Sequence, residues 1–314
     1  MLGRHANSLF WMFRYLERAD NTARLLDTGL RMSLTRDMVS SEDEWRSVIE
    51  AAGQRAGYEQ QNGSYTGVQV WNHILRNRDN AGSVLNVFGQ VRNNAREVRG
   101  AITGEVWEAV NDSWLQISDM LDKPVSERDV GEAIKIVRRA STLTHGAVLG
   151  SMLRERGYHF ARAGTFVERA DAIARIIDIK YYLLLPSLSY VGSSMDTSQW
   201  ETILQSVSGD SAYRWLNAGK IDARSIVEFL VLDPRFPRSL AYSHSMLREN
   251  LAALARLHGV EGTSNELMRE ADQSISERSI EHIFEEGLHD FLVKFTSDNA
   301  AIAAAIAQDY RFHD

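Results

Sequence analysis

The chain has 314 residues, enough for one large domain or two ordinary domains with a substantial core. Its formal charge of -7 argues against a dedicated nucleic-acid binder, and the absence of cysteine excludes disulfides, thiolate metal sites and cysteine nucleophiles. No stretch approaches the about 20 apolar residues that cross a bilayer, and the apolar run at 9–13 is too short for a signal peptide. We therefore expect a soluble cytoplasmic protein that binds neither nucleic acid nor membrane.

Helical periodicity dominates the chain, and only four prolines interrupt it. The first helix is predicted at 6–33, because one side of it is apolar at helical spacing. The residues of this apolar stripe are Leu9, Met12, Leu16, Ala19, Ala23, Leu26 and Leu30. Further helices are predicted, in chain order, at 42–56, 66–76, 80–100, 104–122, 127–151, 154–185, 198–207, 210–218, 222–231, 237–258, 264–278 and 279–308. The pattern predicts an all-α fold, a multi-helix bundle.

Several boundaries carry their own signals. A loop is predicted at 187–198, Pro237 fits the first turn of a helix, and Gly259 is a plausible stop after His258. Thr263 followed by Glu266 predicts a capping box at the start of the next helix.

Two stretches of the chain are near copies of each other, YLERADNTARLLD at 15–27 and FVERADAIARIID at 166–178. The identical residues of the first copy are Glu17, Arg18, Ala19, Asp20, Ala23, Arg24 and Asp27. Two amphipathic helices share a hydrophobic pattern for packing reasons, but packing gives no reason to share charged identities. The repeat therefore indicates a site or a docking surface. It also predicts pseudo-repeat halves near 1–150 and 151–314 within a single domain at 1–314.

On a helix, the repeated charges line one stripe. A solvated face with intrahelical ion pairs, each worth about 0.2–0.5 kcal/mol, would explain such a stripe. The stripe of the first helix also carries Phe10 and Phe13, however, where the copy has Ala161 and Gly164. We therefore expect the two signature helices to pack together, with their charges in a partly buried network. The candidate polar cluster consists of Glu17, Arg18, Asp20, Arg24, Glu168, Arg169, Asp171 and Arg175.

Other chemistry finds little support in the sequence. A helical di-iron site needs two Glu-x-x-His units, whereas the chain has one clear instance, Glu286 with His289, and isolated histidines at His145, His159 and His244. The chain has no Gly-x-Ser-x-Gly elbow, P-loop or dinucleotide glycine motif. We expect no metal and no cofactor. The arginines at Arg92, Arg96, Arg99, Arg138 and Arg139 suit an anionic ligand or partner, or are ordinary surface residues.

The chain resembles a known family at several points. The residues concerned are the N-terminal signature from Arg4 to Leu26, including Arg14; the stretch at 94–108, including Arg96; Phe236-Pro237-Arg238-Ser239; and the second Glu-Arg copy. These residues resemble the alpha-E family, a bacterial helical domain family named for its glutamate-arginine motif and of unknown function. Phe13 departs from the usual glycine, and Thr165 from the usual arginine. Arg14, Arg96 and Arg238 are second-tier site candidates.

The resemblance also implies partners. Such domains are encoded beside, or fused to, a circularly permuted ATP-grasp amide-bond ligase and a transglutaminase-like peptidase. The resemblance implies that this chain is a helical component of a system that makes peptide or amide bonds. Its role there would be that of a partner or substrate-holding subunit rather than a stand-alone enzyme. One alternative is an enzyme that uses paired carboxylates and arginines for amide or peptide transfer chemistry. The other is a structural bundle whose charged repeat is only an ion-pair network.

Overall fold

The computed structural model of the chain describes residues 1–33, 38–183, 194–218 and 221–313. The described residues form fifteen α-helices and no β-strand, which confirms the predicted all-α class. They divide into two compact units, described separately below: an N-terminal unit, Ser8–Tyr158, and a C-terminal unit, Met1–Asn7 with His159–Asp314. The single domain at 1–314 with an internal repeat stays a prediction, as does the packing of the two signature helices on each other.

The N-terminal unit contains α1 after its first turn and the six helices that follow it. Their bounds are α1 (Gly3–Ser33), α2 (Met38–Ala51), α3 (Arg55–Glu59), α4 (Gly67–Arg76), α5 (Val84–Glu97), α6 (Gly104–Met120) and α7 (Val130–Ser151). Helices adjacent in sequence pack together from α4 to α7, and α2 packs on α4. The predicted apolar stripe of α1 is confirmed from Leu9 to Leu26, where all six of its residues are buried. Leu30, its last predicted member, is only partly buried.

The C-terminal unit contains the second signature on its first helix. Its helices are α8 (Arg156–Leu183), α9 (Ser194–Ser206), α10 (Asp210–Leu216), α11 (Ala223–Leu232), α12 (Leu240–His258), α13 (Thr263–Ser276), α14 (Ile280–Glu286) and α15 (Leu288–Asp309). The apolar side of α8, including Ile173 and Ile177, is buried in one hydrophobic cluster with Leu204, Leu230 and Leu292. The apolar residues of α8 therefore pack in this cluster, whereas the charged residues of α8 lie outside it.

Glycine explains two differences from the predicted elements. The helix predicted at 42–56 ends at Ala51, because Gly53 adopts a left-handed φ of 67°, and the short α3 follows. The helix predicted at 279–308 is divided at Gly287, whose φ is 99°. The predicted loop at 187–198 lies mostly outside the described residues, and its last residues belong to α9, which begins at Ser194.

The helix caps confirm one predicted boundary and correct two. Gly259 ends α12 in the left-handed conformation, as predicted. Pro237 is not in the first turn of α12, because the Ser239 hydroxyl accepts a hydrogen bond from the Tyr242 amide at 2.9 Å and the helix begins at Leu240. Thr263 is the first residue of α13 and not its cap.

Candidate functional site

The first signature lies on α1, and its glutamate is enclosed. Glu17 has no exposed surface, and its Oε2 atom lies 3.4 Å from Nε2 of His145 on α7. The ring of Phe13, one turn earlier on α1, lies 5.7 Å from the His145 ring. His145, which the sequence left as an isolated helical histidine, therefore faces the signature. A buried carboxylate needs partners of this kind because desolvation disfavours its charge.

The next charges on α1 form ion pairs that become more exposed towards the end of the stripe. The Asp20 side chain is 3% exposed and accepts a hydrogen bond from Nε of Arg24, itself 14% exposed, at 2.8 Å. Asp27 is 25% exposed and lies within 3.4 Å of Arg138 on α7 and 3.3 Å of Arg31. The first stripe therefore runs from a buried carboxylate to cations at the surface of α1 and α7.

The second signature, on α8, repeats the pattern of pairs in a more open setting. Glu168 is buried, and Asp171 accepts two hydrogen bonds from Arg175, at 2.8 and 3.2 Å. Arg175 is 60% exposed, compared with 14% for Arg24 at the equivalent position. Further along α8, Asp178 lies 2.6 Å from Nδ1 of His289. Each Asp-Arg pair is made within its own helix, whereas burial distinguishes the two copies.

Burial also separates the signature glutamates from the other Glu-Arg dipeptides. The chain contains five such dipeptides, beginning at Glu17, Glu127, Glu155, Glu168 and Glu277. Only Glu17 and Glu168 are buried, and the other three glutamates are exposed. A Glu-Arg dipeptide is therefore not buried by its sequence alone. Burial of the glutamate is a property that the two copies of the repeat share.

The arginines of the two signatures share a contact as well. The guanidinium group of Arg18 lies 5.6 Å from the ring of Tyr15, and that of Arg169 lies 5.4 Å from the ring of Phe166, the aromatic residue three positions earlier in each copy. Such cation–π contacts fix the direction of an arginine side chain. Arg169 also donates a hydrogen bond to the Pro237 carbonyl at 3.2 Å.

The second-tier candidates occupy three different settings. Arg14 lies over Trp11, 4.5 Å from the ring centre, and so stays on the first signature helix. Arg96 is exposed on α5. Arg238 is partly buried and follows Pro237, whose carbonyl binds Arg169. The structure therefore brings the segment with Arg238 beside the second signature.

A cationic groove lies between α1 and α7. Its lining consists of Arg24, Lys135, Arg138, Arg139, Thr142 and Leu143. Asp20 positions Arg24, and Asp27 lies beside Arg138. Arg139, which is 74% exposed, lies 3.5 Å from Glu132, and Lys135 lies 3.8 Å from the same carboxylate. Sequence reasoning singled out the three arginines separately and missed Lys135, although the spacing of 135, 138 and 139 on one helix was a usable signal. Guanidinium and ammonium groups arranged in this way can bind carboxylate or phosphate groups.

The structure argues against the Glu-x-x-His unit. Gly287 separates Glu286, at the end of α14, from His289 on α15, so the pair does not lie at i, i+3 on one helix. Among the described residues, no group of three or more His, Cys, Asp or Glu side chains is arranged to hold a metal ion. Of the isolated histidines, His159 and His244 have surroundings different from those of His145. His159 lies 2.8 Å from the amide oxygen of Asn250, whereas burial lowers the pKa of His244 to about 4.

Within the described ranges, no helix has both the length and the apolar character of a membrane span.

Comparisons with known proteins place the chain in a family. An uncharacterized protein of Mycobacterium bovis and two of Mycobacterium tuberculosis are each 27% identical to it over 268 residues. The match covers 79% of this chain and only 29% of each relative, so the chain spans less than a third of their length. No solved structure matches the chain. The model of the Alpha-E family, described as a predicted alpha-helical domain with a conserved ER motif, matches residues 1–310. The chain therefore belongs to the Alpha-E family, as its sequence predicted.

Proposed function

We propose that this domain is an accessory component of a system that forms peptide or amide bonds. It would hold a circularly permuted ATP-grasp ligase, or the acidic or amino-acid substrate of that ligase. A transglutaminase-like protein would be a further partner. The observation that carries the proposal is the cationic groove, in which Arg24 of the first signature joins Lys135, Arg138 and Arg139 of α7.

The groove fits this role because substrates of amide-bond formation carry carboxylates. Asp20 lies beside Arg24 and Asp27 lies beside Arg138, so both arginine side chains are already held in position. Binding of an anion then costs less side-chain entropy than binding to mobile arginines would. The buried Glu17 belongs to the same charged stripe of α1 as Arg24. The relatives carry the aligned region within much longer chains, which supports a domain that works beside others.

Co-purification with the ATP-grasp ligase tests the proposal. We expect the purified domain to capture the ligase and to raise its ATP-dependent ligation rate. The variant Arg138→Ala with Arg139→Ala should weaken capture or raise the KM for the acidic substrate by roughly 30-fold, since two lost charge pairs of about 1 kcal/mol each add to about 2 kcal/mol. Arg78→Ala with Arg128→Ala removes two exposed arginines that lie outside the groove and outside both signatures, and it serves as the matched control. If the domain does not capture the ligase and does not change the ligation rate, the proposal is wrong.

The Glu17–His145 pair favours a second candidate, an enzyme for amide or peptide transfer. A carboxylate enclosed beside an imidazole is an arrangement that can exchange protons in acid–base chemistry. The paired arginines would then stabilise the negative charge of the reacting group. Unchanged turnover of a Glu17→Gln, Glu168→Gln double variant would eliminate this candidate. A purely structural ion-pair network predicts that the same variant loses stability and nothing else.

A further inference from the structure

An open cavity lies at the end of α11, in the C-terminal unit. Its volume is about 430 Å³, which is within the range of small-ligand sites. We call it the α11 cavity. Its lining comes from the end of α10 and from α11 with the turn that follows, and it includes Leu216, Asn217, Glu228, Phe229, Asp233 and Arg235.

Glu228 gives the α11 cavity a negative charge that is not balanced. Its side chain is exposed, and among the residues that the structure describes none forms an ion pair or hydrogen bond with its carboxylate. The other carboxylate of the lining, Asp233, accepts hydrogen bonds from Arg235 at 2.7 and 3.0 Å. These bonds hold the pKa of the Asp233 carboxyl below its usual value. Arg235 therefore balances Asp233, and the charge of Glu228 remains.

The arginines nearest in sequence to this lining are engaged elsewhere. Arg214, on α10, pairs with Asp210 at 2.9 Å, and Arg224, at the start of α11, pairs with Glu281. Neither of these arginines pairs with Glu228. The lining therefore suits a ligand that brings its own positive charge.

The backbone at the end of α11 also favours a cation. The last carbonyl groups of a helix have no partner within it, and that end of the helix carries a partial negative charge. The last turn of α11 contains no basic residue. Asn217 adds an acceptor, because its Nδ2 atom donates to the Tyr213 carbonyl at 3.1 Å and no described residue donates to its side-chain oxygen. The cavity thus combines one carboxylate with neutral acceptors.

Apolar side chains form the rest of the surface. Phe229 is buried and stacked on Phe236, with ring centres 4.4 Å apart, so its ring is fixed in place. Leu216 and Leu232 also line the cavity. A metal ion would need several oxygen ligands, whereas this lining has one carboxylate without a partner. An aliphatic chain that ends in an ammonium group would use both the apolar and the polar parts.

We infer that the α11 cavity binds a primary ammonium group on an aliphatic chain, either a free alkyl diamine or the side chain of a lysine. The three N–H donors of the ammonium group match separate acceptors, which are the Glu228 carboxylate and the neutral oxygens near it. The aliphatic chain packs on Phe229 and Leu232. The cavity and the cationic groove share no residue, so this inference is independent of the proposed function.

Titrations of the full chain, followed by two-dimensional NMR, test the inference. The probes are cadaverine, Nα-acetyl-lysinamide and, as a neutral analogue of the second, Nα-acetyl-norleucinamide. We expect saturable shifts of the amide signals of α11 and of the turn after it with at least one of the two amines. The neutral analogue should cause no such shifts, because it lacks the charge that pairs with Glu228.

Substitutions of Glu228 locate the bound ammonium group. Glu228→Gln keeps the shape of the side chain and removes its charge, so the affinity for the amine should fall at least about tenfold. Thermal unfolding should not change, because Glu228 is exposed and has no partner among the described residues. Glu228→Lys should abolish binding. Glu270→Gln, at an exposed glutamate of α13 outside the cavity, is the matched control and should bind as the unmodified chain does.

Each possible result has a definite meaning. Equal shifts with the lysine and norleucine probes, no shift with either amine, or full affinity in Glu228→Gln would each overturn the inference. Tighter binding of Nα-acetyl-argininamide than of Nα-acetyl-lysinamide would also overturn it, since the ligand would then be a guanidinium group. Binding of cadaverine alone would support the inference with a free amine as the ligand, and binding of the lysine probe would support it with a lysine side chain.

Discussion

Nε2 of His145 lies 3.4 Å from Oε2 of Glu17, a carboxylate without exposed surface that begins the first charged stripe. The two residues are 128 positions apart in the sequence, on α1 and α7. This contact joins the Glu-Arg signature to the helix that also supplies most of the cationic groove.

The first prediction concerns the buried glutamate. Glu17→Gln keeps the shape of the side chain and removes its charge, so partners of the carboxylate lose a charge-assisted contact. We expect a loss of about 1–3 kcal/mol in the free energy of unfolding, measured by urea denaturation. Glu127→Gln, in an exposed Glu-Arg dipeptide, is the control and should change little. Equal effects of the two substitutions would show that burial of Glu17 does not matter for stability.

The two copies allow a matched comparison of the aspartates. Asp20→Asn weakens an ion pair whose carboxylate is 3% exposed, whereas Asp171→Asn weakens the equivalent pair where the carboxylate is 26% exposed. We expect a loss of about 1–3 kcal/mol for the first and about 0.5 kcal/mol or less for the second. Thermal and urea unfolding measure both. A larger loss for Asp171→Asn would contradict the difference in burial.

His244 should make stability depend on pH. It is almost fully buried, its ring is stacked on Phe295 at 4.5 Å, and burial lowers its pKa from 6.5 to about 4, against a smaller opposing effect of Asn299. Below pH 6.5 the unfolded chain takes up a proton that the folded chain does not bind until about pH 4. The stabilising contribution is therefore complete above pH 6.5 and falls by about 3 kcal/mol as the pH drops to about 4.

The measurement compares urea denaturation of the unmodified chain and of His244→Phe across that pH range. The difference in unfolding free energy between the two should change with pH, because phenylalanine does not titrate. A difference that stays constant from pH 6.5 to 4 would contradict the assigned role of His244.

The start of α13 gives the last prediction. Asp309, on α15, accepts hydrogen bonds from the amides of Thr263 at 3.2 Å and Ser264 at 2.8 Å. Asp309→Ala should cost about 1 kcal/mol, a typical value for a lost helix cap, in urea denaturation. A Cβ on Gly262 would collide with the Asp309 carboxylate, so Gly262→Ala should also destabilise. Its effect should shrink in the Asp309→Ala background, and simple additivity would argue against this contact.

Much of the fold was predictable because helices are local. The apolar stripe of α1 follows from residues three and four positions apart, and Gly259 ends α12 by its own left-handed conformation. Gly53 and Gly287 were missed as breaks, since an isolated glycine inside a helical pattern is often tolerated. The cap of α13 was missed because Asp309 lies 45 residues from Ser264.

The candidate site divides in the same way. Spacing predicts the pairs of Asp20 with Arg24 and of Asp171 with Arg175, and both pairs form. Arg24 is 14% exposed and Arg175 is 60% exposed, although the charged residues around them are identical in the two copies. Exposure depends on the helices that pack against each signature, and those differ between the copies.

The sequence by itself determined the Alpha-E family, the all-α class and the ion pairs made within single helices, since all of these depend on residue identity and near spacing. Only the tertiary structure decided that Glu17 meets His145 and that Arg24 shares a groove with Lys135 and Arg138. The physical reason is that the helix repeat fixes neighbours three or four residues apart, whereas contacts such as Asp27 with Arg138, 111 residues apart, depend on how α1 and α7 pack.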